Sequence, residues 1–462
     1  MKPQIDLRGK RVLVVGLART GVATALFCAE RGAKVTATDP IAEPTDIMQS
    51  LAQRGVILEL GGHKRESFLS ADLIIPSPGV PFDQPDLLAA RQKGVTVWSE
   101  IELAWRFLPG RLIAITGSNG KTTTTALVGH ILRSAGVPTA VGGNIGTPLI
   151  SLVDQATEKS MTVVEVSSFQ LEAINAFRPD VSVYLNLTPD HLDRHGSLEA
   201  YAAAKARIFE NQLREDAAVM NADDATSAAY APSRPRVYWF SRKKEVPRGA
   251  FVRGDDIVFC DGDAEARLLR RSDITLRGDH NLENVLASAI AARLAGVAPA
   301  GIAEGVRTFR AVEHRLQYIA EIGGVQFYND SKATNVDATE KALLAFPGNL
   351  LVILGGKDKG SDYRPLAPLL HERARRAYLI GAAAQKIASQ IEGAVPFEMA
   401  GTLGNAVNAA YAAARPGDIV LLAPACASFD QFQNYEHRGR TFIEAVCALK
   451  AAADTRAAGG AS

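Results

Sequence analysis

The chain has 462 residues, of which 47% are hydrophobic and 22% are charged, and its formal net charge is +1. This length predicts about two to four domains, and the balanced charge argues against broad binding to nucleic acid or anionic membranes. The four cysteines form no C-x-x-C pair, which indicates reduced thiols. We expect a cytoplasmic, monomeric protein without membrane insertion, because residues 1–10 are polar and the apolar run after them is short.

The first hundred residues alternate short apolar runs with a helical pattern. Strands are predicted at Arg11–Val15, Lys34–Asp39, Asp72–Ile75 and Val95–Trp98, and a helix at Thr20–Arg31. Strands separated by helices predict a parallel, doubly wound α/β sheet, that is, a Rossmann-like domain. A Pro-Gly pair at 109–110 then interrupts the pattern, so we place the first domain at residues 1–109.

The turn after the first predicted strand carries a partial dinucleotide-binding pattern. Residues 16–21 read Gly-Leu-Ala-Arg-Thr-Gly, with Ala18 in place of the middle glycine, and Asp39 ends the second strand. The residues leave two ligands open: a nicotinamide or flavin dinucleotide, or a uridine diphosphate whose pyrophosphate binds the same helix N-terminus. A second tight turn, residues 77–80, lies at the same predicted sheet edge and offers further backbone donors.

Residues 113–125 read Ile-Ala-Ile-Thr-Gly-Ser-Asn-Gly-Lys-Thr-Thr-Thr-Thr and predict a nucleoside triphosphate site. An apolar strand meets a small-residue turn, and Lys121 opens a helix whose N–H groups suit phosphate oxygens. The hydroxyl of Thr122 can reach the magnesium ion that travels with ATP. The loop is the short form G-x-x-G-K-T, because Ile115 stands where the usual pattern has its first glycine. The predicted ATP contacts here are Gly117, Ser118, Asn119, Gly120, Lys121, Thr122 and Thr123.

The central block continues the strand–helix alternation and is assigned to residues 110–311. Strands are predicted at Leu112–Thr116, Met161–Glu165 and Val181–Leu187, helices near 121–135 and 198–213, and an antiparallel edge hairpin at 251–259. Glu165 ends a hydrophobic strand, where a carboxylate beside a phosphate loop is placed to hold magnesium. The charged loop 185–195 carries His191, and the following helix carries Lys205.

The last block, residues 312–462, is predicted to be another Rossmann-like α/β domain. Its predicted strands are Gln326–Tyr328, Leu350–Leu354, Ala377–Ile380 and Asp418–Leu422, followed by an alanine-rich helix and a disordered tail from Ala457. The amide of Asn281, before this block, suits a purine edge. Arg315 suits a phosphate, and Asp330 and Lys332 share one turn after a strand.

These motifs together resemble the Mur ligases, the ATP-dependent amide-forming enzymes of peptidoglycan precursor assembly. Residues 116–122 are similar to the family's ATP loop, and Glu165 to its magnesium-binding glutamate. The segments His280-Asn281 with Asn284, His314-Arg315, and Asp330-Ser-Lys332 are similar to its remaining ATP contacts. The resemblance implies three domains: a Rossmann-like UDP-substrate domain, a central P-loop-type ATPase domain and an amino-acid-binding domain.

Within the family, the chain is most similar to the members that add D-glutamate to UDP-N-acetylmuramoyl-L-alanine. Segments 142–146, 167–171, 355–360, 424–432 and 434–439 carry this similarity. The D-N-P-R motif of the members that add a diamino acid is absent from the sequence. The resemblance implies three small-molecule substrates, which are ATP, UDP-N-acetylmuramoyl-L-alanine and D-glutamate.

The resemblance also implies roles for individual residues. It implies two Mg²⁺ ions held by Thr122, Glu165, His191 and Lys205, with Lys205 carbamylated by CO₂, and it implies catalytic roles for Lys121, His191 and Lys205. The implied UDP-substrate contacts are Thr20, Asp39, Ser77, Gly79 and Asn144. The implied D-glutamate contacts are Lys332, Lys359, Ser428 and Tyr435, and lysines suit a dicarboxylate.

Two other classes of protein remain as alternatives. A nicotinamide-dependent oxidoreductase would use the first domain, but it leaves the phosphate loop and Glu165 without a role. A regulatory GTPase or ATP-driven switch would use the loop, but the guanine-reading Asn-Lys-x-Asp motif is missing.

Overall fold

The computed structural model describes residues 2–310 and 312–459. The chain divides into two compact units. The first contains the residues up to Asp273 together with Glu283–Thr308, and the second contains Ile274–Leu282 together with the residues from Phe309 onward. Each unit is built around parallel β-sheets covered by helices, which confirms the predicted α/β class. No described helix is long and apolar enough to cross a membrane.

The first sheet has five parallel strands in the order β3-β2-β1-β4-β5. Its strands are β1 (Arg11–Val15), β2 (Lys34–Asp39), β3 (Ile57–Leu60), β4 (Leu73–Pro76) and β5 (Thr96–Val97). Its helices are α1 (Arg19–Glu30), α2 (Asp46–Gln53), α3 (Arg65–Ser70), α4 (Pro85–Gln92) and α5 (Glu100–Phe107). The strand order reverses between β1 and β4, and ligands of such sheets bind at this switch point.

The second sheet has nine strands in the order β14-β13-β12-β11-β10-β9-β6-β8-β7. Its strands are β6 (Arg111–Thr116), β7 (Thr139–Gly143), β8 (Met161–Glu165), β9 (Val181–Tyr184), β10 (Ala217–Asn221), β11 (Arg236–Ser241), β12 (Arg248–Arg253), β13 (Asp256–Asp261) and β14 (Ala264–Arg270). Only the β12–β13 and β13–β14 pairs are antiparallel, so the predicted edge hairpin is confirmed. The register pairs Ile115 with Glu165, which brings the end of β8 beside the loop after β6.

The helices that accompany the second sheet are mostly short. They are α6 (Lys121–Ser134), α7 (Ser168–Leu171), α8 (Leu192–His195), α9 (Leu198–Ala206), α10 (Ala225–Ala228), α11 (Asp279–Leu294) and α12 (Pro299–Thr308). Single 3₁₀ segments lie at Leu149–Gln155, Arg207–Phe209 and Arg271–Asp273.

The third sheet has six strands in the order β15-β16-β20-β17-β18-β19, and only the β15–β16 pair is antiparallel. Its strands are β15 (Gln317–Ile322), β16 (Val325–Asn329), β17 (Leu350–Gly355), β18 (Ala374–Ile380), β19 (Phe397–Gly401) and β20 (Ile419–Leu422). Its helices are α13 (Val336–Leu344), α14 (Leu366–Arg373), α15 (Ala384–Gln390), α16 (Leu403–Ala413) and α17 (Tyr435–Gly459).

Several predicted boundaries are wrong; strand β18, for example, begins at Ala374 rather than Ala377. Strand β9 ends at Tyr184 rather than Leu187, because the backbone of Asn186 instead accepts a hydrogen bond from the phosphate loop. Helix α9 ends at Ala206 rather than near 213, since the side chain of Gln212 turns inward to bond backbone carbonyls. Helix α17 reaches Gly459, so the predicted disorder is wrong for residues 457–459, while residues 460–462 and residue 311 lie outside the described residues.

Helix α5 carries a buried carboxyl group, Glu100, that has few hydrogen-bond partners. The side chain of Glu100 accepts the N–H of Ile150 at 2.6 Å, while its second oxygen has no hydrogen-bond partner among the described atoms. Burial raises the pKa of Glu100 from 4.5 to about 7. The unfolded chain therefore releases this proton at lower pH than the folded chain, so stability falls as the pH rises from about 4.5 to 7.

We expect Glu100→Gln to stabilise the protein by about 2–3 kcal/mol near pH 8 and to change little near pH 4, because the amide mimics the protonated acid. Chemical unfolding at the two pH values measures this difference. Glu102→Gln is the matched control, because Glu102 accepts three backbone N–H groups and an arginine, and its neutralisation should destabilise the protein near pH 8. A stability gain from Glu100→Gln that is equal at both pH values would contradict the expectation.

Candidate active site

The loop between β6 and α6 has the geometry of a phosphate-binding turn. Gly117 and Gly120 have φ angles of 151° and 84°, which disfavour any residue with a side chain. A Cβ on Gly120 would lie 2.3 Å from the amide oxygen of Asn284. Gly120 is also the N-cap of α6, so no side chain caps the start of this 14-residue helix. Backbone N–H groups at such a helix start attract anions.

A neighbouring segment holds this loop in shape. The side chain of Asn186 accepts the N–H of Asn119 at 2.9 Å and donates to the carbonyl of Asn119 at 3.2 Å. The hydroxyl of Ser118 donates to the carbonyl of Thr188 and accepts its N–H. Sequence reasoning assigned no role to Asn186, because the predicted strand 181–187 included this residue and the observed strand ends at Tyr184. The expected ATP contacts of Ser118 and Asn119 stay predictions.

Two lysine side chains converge on one carbonyl oxygen of the loop. The ammonium of Lys121 donates to the carbonyls of Gly117 and Ser118, both at 2.8 Å. Lys205, which is 1% exposed, donates to the same Gly117 oxygen at 2.9 Å, and its nitrogen lies 4.4 Å from the ring centre of Tyr201.

Burial lowers the pKa of Lys205 well below its usual value, and the nearby charge of Lys121 lowers it further. The carboxylates of Asp190 and Glu165 act in the opposite direction, so both lie within electrostatic reach of this amine. The lowered pKa favours the neutral amine, which is the nucleophilic form.

Glu165 is buried at the end of β8 and contacts two neutral donors. The hydroxyl of Thr122 donates to one carboxylate oxygen at 2.8 Å, and the side-chain amide of Asn144 donates to the other at 3.1 Å. A buried carboxylate beside a hydroxyl is a donor set that suits a hard cation such as magnesium.

The loop before α8 presents His191 in a strained backbone. Its φ is 53°, an uncommon value for a residue other than glycine, and its N–H donates to the carboxylate of Asp190. The imidazole packs edge-on against Phe169, with ring centres 5.0 Å apart. Strain of this kind persists only where surrounding contacts maintain it.

The five residues expected to contact the UDP substrate all line one cavity of about 450 Å³. These residues are Thr20, Asp39, Ser77, Gly79 and Asn144. The N-terminus of α1 opens at this cavity, and its N-cap, Ala18, provides no side-chain cap. Arg19 also lines the cavity and donates to the carbonyl of Gly146 at 2.9 Å. Their expected UDP contacts remain predictions.

Asp39 has a structural task in addition to any contact with ligand. One carboxylate oxygen accepts the N–H of Leu17 at 2.7 Å, and the other accepts the N–H of Ile41 at 3.0 Å. The carboxylate therefore shapes the turn after β1, which contains the partial glycine pattern.

The second compact unit contains a separate cavity of about 190 Å³. Asn281 and Arg315 line it, together with Tyr318 and Tyr328. Arg315 lies between His314 and Leu316, which have φ angles of 64° and 40°. These three residues form a strained turn that presents the guanidinium. Burial raises the pKa of Asp330 to about 7, while the charge of Arg315 acts in the opposite direction.

The residues expected to contact D-glutamate lie on three segments of the second unit. The ammonium of Lys332 lies 3.6 Å from the ring centre of Tyr435, the first residue of α17. Ser428 is buried, and Lys359 is exposed on the turn after β17.

Arg438 holds two of these segments together and was missed by sequence reasoning. Its fully buried guanidinium donates to the hydroxyl and the carbonyl of Ser331, and to the carbonyls of Cys426 and Ala427. Burial lowers the pKa of Arg438 to about 10. Because Ser331 precedes Lys332 and Ala427 precedes Ser428, this arginine positions both predicted contacts. The family similarity of segment 434–439 includes this arginine, but it implied no role for its side chain.

Three models of known protein-family domains match successive parts of the chain. Residues 10–99 match the Mur ligase MurD-like N-terminal domain, residues 115–292 the Mur ligase middle domain, and residues 314–426 the Mur ligase glutamate ligase domain. The chain belongs to the Mur ligase family.

Curated relatives of this Mur ligase match it over nearly its whole length. The UDP-N-acetylmuramoylalanine--D-glutamate ligase of Acidobacterium capsulatum is 55% identical over 455 residues, which cover 97% of this chain and 98% of that protein. The enzyme of the same name from Solibacter usitatus is also 55% identical, over 96% of this chain and 99% of its own.

Solved structures show the same Mur ligase fold at low sequence identity. A pseudomurein peptide ligase type C from Methanothermus fervidus aligns with a TM-score of 0.61 at 20% identity, covering 96% of this chain and 100% of its own. UDP-N-acetylmuramate-alanine ligase MurC from Thermotoga maritima aligns with a TM-score of 0.59 at 20% identity, covering 96% of this chain and 100% of its own.

Proposed function

We propose that this Mur ligase adds D-glutamate to UDP-N-acetylmuramoyl-L-alanine and converts ATP to ADP and phosphate, as a step of peptidoglycan precursor synthesis. The observation that carries the proposal is the 55% identity over 97% of the chain to a ligase of this name. The glycine loop with Lys121 and the cavity beside α1 support it. The oxidoreductase and switch alternatives are set aside, because all three matching family models are those of Mur ligases.

The proposed reaction has two steps. The carboxylate of the L-alanyl group attacks the γ-phosphorus of ATP, the bond from that phosphorus to the bridging oxygen breaks, and ADP leaves. The amine of D-glutamate then attacks the carbonyl carbon of the acyl phosphate, loses a proton, and phosphate leaves with its oxygen. Each step moves negative charge toward oxygens that preorganised donors can stabilise.

The phosphate loop supplies the donors for the first step. We expect Lys121 to exchange the carbonyls of Gly117 and Ser118 for phosphate oxygens, since an ammonium gains more from a charged acceptor than from a neutral one. The N–H groups at the start of α6 bind the same anion through the helix dipole. Asn281, Arg315, Asp330 and Lys332 are the further ATP contacts that the proposal assigns.

Thr122 and Glu165 fit magnesium, because a hydroxyl and a buried carboxylate oxygen lie 2.8 Å apart beside the phosphate loop. Magnesium bound there would neutralise charge on the phosphates. Among the described residues, no group of three or more His, Cys, Asp or Glu side chains forms a metal site. The proposal assigns the remaining ligands of two ions to His191, to a carbamate on Lys205 and to the substrates.

A carbamate on Lys205 fits the surroundings of this amine. The neutral nitrogen adds to the carbon of CO₂, one C–O π bond opens to give an anionic oxygen, and the nitrogen loses a proton. The lowered pKa of Lys205 favours the reactive neutral form. The product places an anion next to the cation of Lys121, an attraction that the neutral amine does not provide.

The test is release of phosphate from ATP by the purified chain. We expect release only when UDP-N-acetylmuramoyl-L-alanine, D-glutamate, ATP and magnesium are all present, and each omission serves as a control. Absence of release from the complete mixture would overturn the proposal. Full release without D-glutamate would favour an ATP-driven switch instead.

A further inference from the structure

One arginine in the first compact unit joins the predicted metal side of the site to the predicted UDP side. Arg194 lies on α8, three residues after His191. One terminal nitrogen of its guanidinium donates to the carbonyl of Val80 at 3.1 Å and to the carboxylate of Glu172 at 2.8 Å. The guanidinium carbon lies 4.5 Å from the ring centre of Phe169. All of these groups are at least half-buried.

The carbonyl that Arg194 binds belongs to a turn of the 450 Å³ cavity. Val80 donates its N–H to the carbonyl of Ser77, which closes the turn, and both residues line the cavity. The hydroxyl of Ser77 in turn donates to the carbonyl of Gly16 in the turn after β1. The Val80 carbonyl therefore belongs to a hydrogen-bonded turn that joins two walls of this cavity.

Arg194 also helps to hold α8 in place, because this residue belongs to the helix. A helix of four residues is too short to be stable alone, so its position depends on side-chain anchors. Arg194 provides one anchor. His195 provides the other, through a 3.0 Å contact with the hydroxyl of Ser168 and a stacked contact with Phe169. His191 packs at a steep angle against the same phenyl ring, at 5.0 Å between ring centres.

We propose that Arg194 is a positioning residue that couples binding of the UDP substrate to binding of ATP with magnesium. The inference rests on the proposed function, because it identifies the ligands of the two sides. When UDP substrate binds, it restricts the motion of the Ser77–Val80 turn. Because Arg194 bonds Val80, the motion of Arg194, of α8 and of the loop that carries His191 is then restricted as well. By thermodynamic linkage, ATP with magnesium then tightens the binding of UDP substrate by the same factor.

The experiment measures the dissociation constant of UDP-N-acetylmuramoyl-L-alanine by calorimetry, alone and with magnesium and a non-hydrolysable ATP analogue. We expect the parent chain to bind the substrate at least about fivefold more tightly when the analogue is present. In Arg194→Lys the ratio of the two constants should fall to about one, because an ammonium lacks the flat guanidinium that packs on Phe169 while one of its nitrogens bonds Val80 and Glu172. Arg194→Ala should give the same ratio.

Arg178→Lys is the matched control, because Arg178 forms a comparable ion pair with Asp216 before β9, at the opposite edge of the sheet from the phosphate loop. It should keep the parental ratio. Thermal unfolding establishes that each variant is folded, and Glu172→Gln replaces the Arg194 variants if they are not, with a reduced ratio expected.

Three results would overturn the inference. The two dissociation constants of the parent chain could be equal, the Arg194 variants could keep the parent's ratio of constants, or Glu172→Gln could keep that ratio. A variant that loses only thermal stability and keeps the ratio shows a purely structural role and overturns it as well. Failure of the parent to bind UDP substrate or to release phosphate with D-glutamate would instead overturn the proposed function, and the inference with it.

Discussion

Lys121→Ala should lower the rate of D-glutamate-dependent phosphate release by about 10² to 10³-fold, the loss typical of removing one preorganised donor to a transition-state oxyanion. The Lys121 ammonium donates to the carbonyls of Gly117 and Ser118, which belong to the turn that we expect to receive the γ-phosphate. It is the cation at the first position of α6, so its charge adds to the helix dipole. Steady-state phosphate release with saturating substrates measures the effect.

The control for this prediction is Lys64→Ala, which removes an exposed lysine in a loose ion pair with Glu59. It should keep the parental rate. Lys121→Ala should also keep its affinity for UDP-N-acetylmuramoyl-L-alanine, because the lysine lines no part of the 450 Å³ cavity. A rate within tenfold of the parent would show that Lys121 does not stabilise the transferred phosphoryl group.

Lys205→Ala should reduce activity by at least about 10²-fold, and a short carboxylic acid such as acetate or propionate should restore part of it. Removal of this buried side chain leaves a space beside Gly117 and Tyr201. A small carboxylate can enter that space and supply the anionic oxygens that the carbamate is proposed to provide. Phosphate release measured against carboxylate concentration should show saturable rescue.

Two variants make the rescue specific. Lys205→Arg keeps a cation that cannot be carbamylated, so it should be inactive, and added carboxylates should not restore its activity. Lys121→Ala should not respond to carboxylates, because it lacks a cation rather than an anion. Parental activity in Lys205→Arg would contradict the carbamate, and rescue of both alanine variants to the same extent would show a non-specific salt effect.

Sequence reasoning predicted the parts of this site that depend on local chemistry. Strands β1, β2 and β8 begin and end at the predicted residues, because each is a continuous apolar or β-branched run between turn residues. The glycine loop follows such a strand, and Glu165 is the last residue of β8. Parallel strands in register bring their carboxyl ends to one edge, so neighbours in the sheet carry residues of one site.

Strands without such a run were missed. Strand β7, Thr139–Gly143, ends in two glycines, and β10, Ala217–Asn221, begins with two alanines, so neither has a strong strand preference. Their pairing with β8 and β9 stabilises them in the sheet. Such tertiary pairing leaves no mark in a short sequence window.

The side chains that support the site were also beyond prediction. Asn186, Arg194 and Arg438 act by bonding backbone carbonyls far along the chain, such as those of Asn119, Val80 and Cys426. A backbone carbonyl has no sequence signature, so its partner cannot be read from residue types. Of the site as a whole, sequence therefore indicates the groups that face the substrates but not those that hold them in place.

The most direct test of the proposed function is an amino-acid panel with the purified chain, UDP-N-acetylmuramoyl-L-alanine, ATP and magnesium, followed by the mass of the nucleotide product. We predict that D-glutamate gives the parent nucleotide plus one glutamyl residue, with one phosphate released per product. L-glutamate, D-alanine and meso-diaminopimelate should give little or none. Equal or greater product with any of these three amino acids would contradict the assignment of this chain as a D-glutamate ligase.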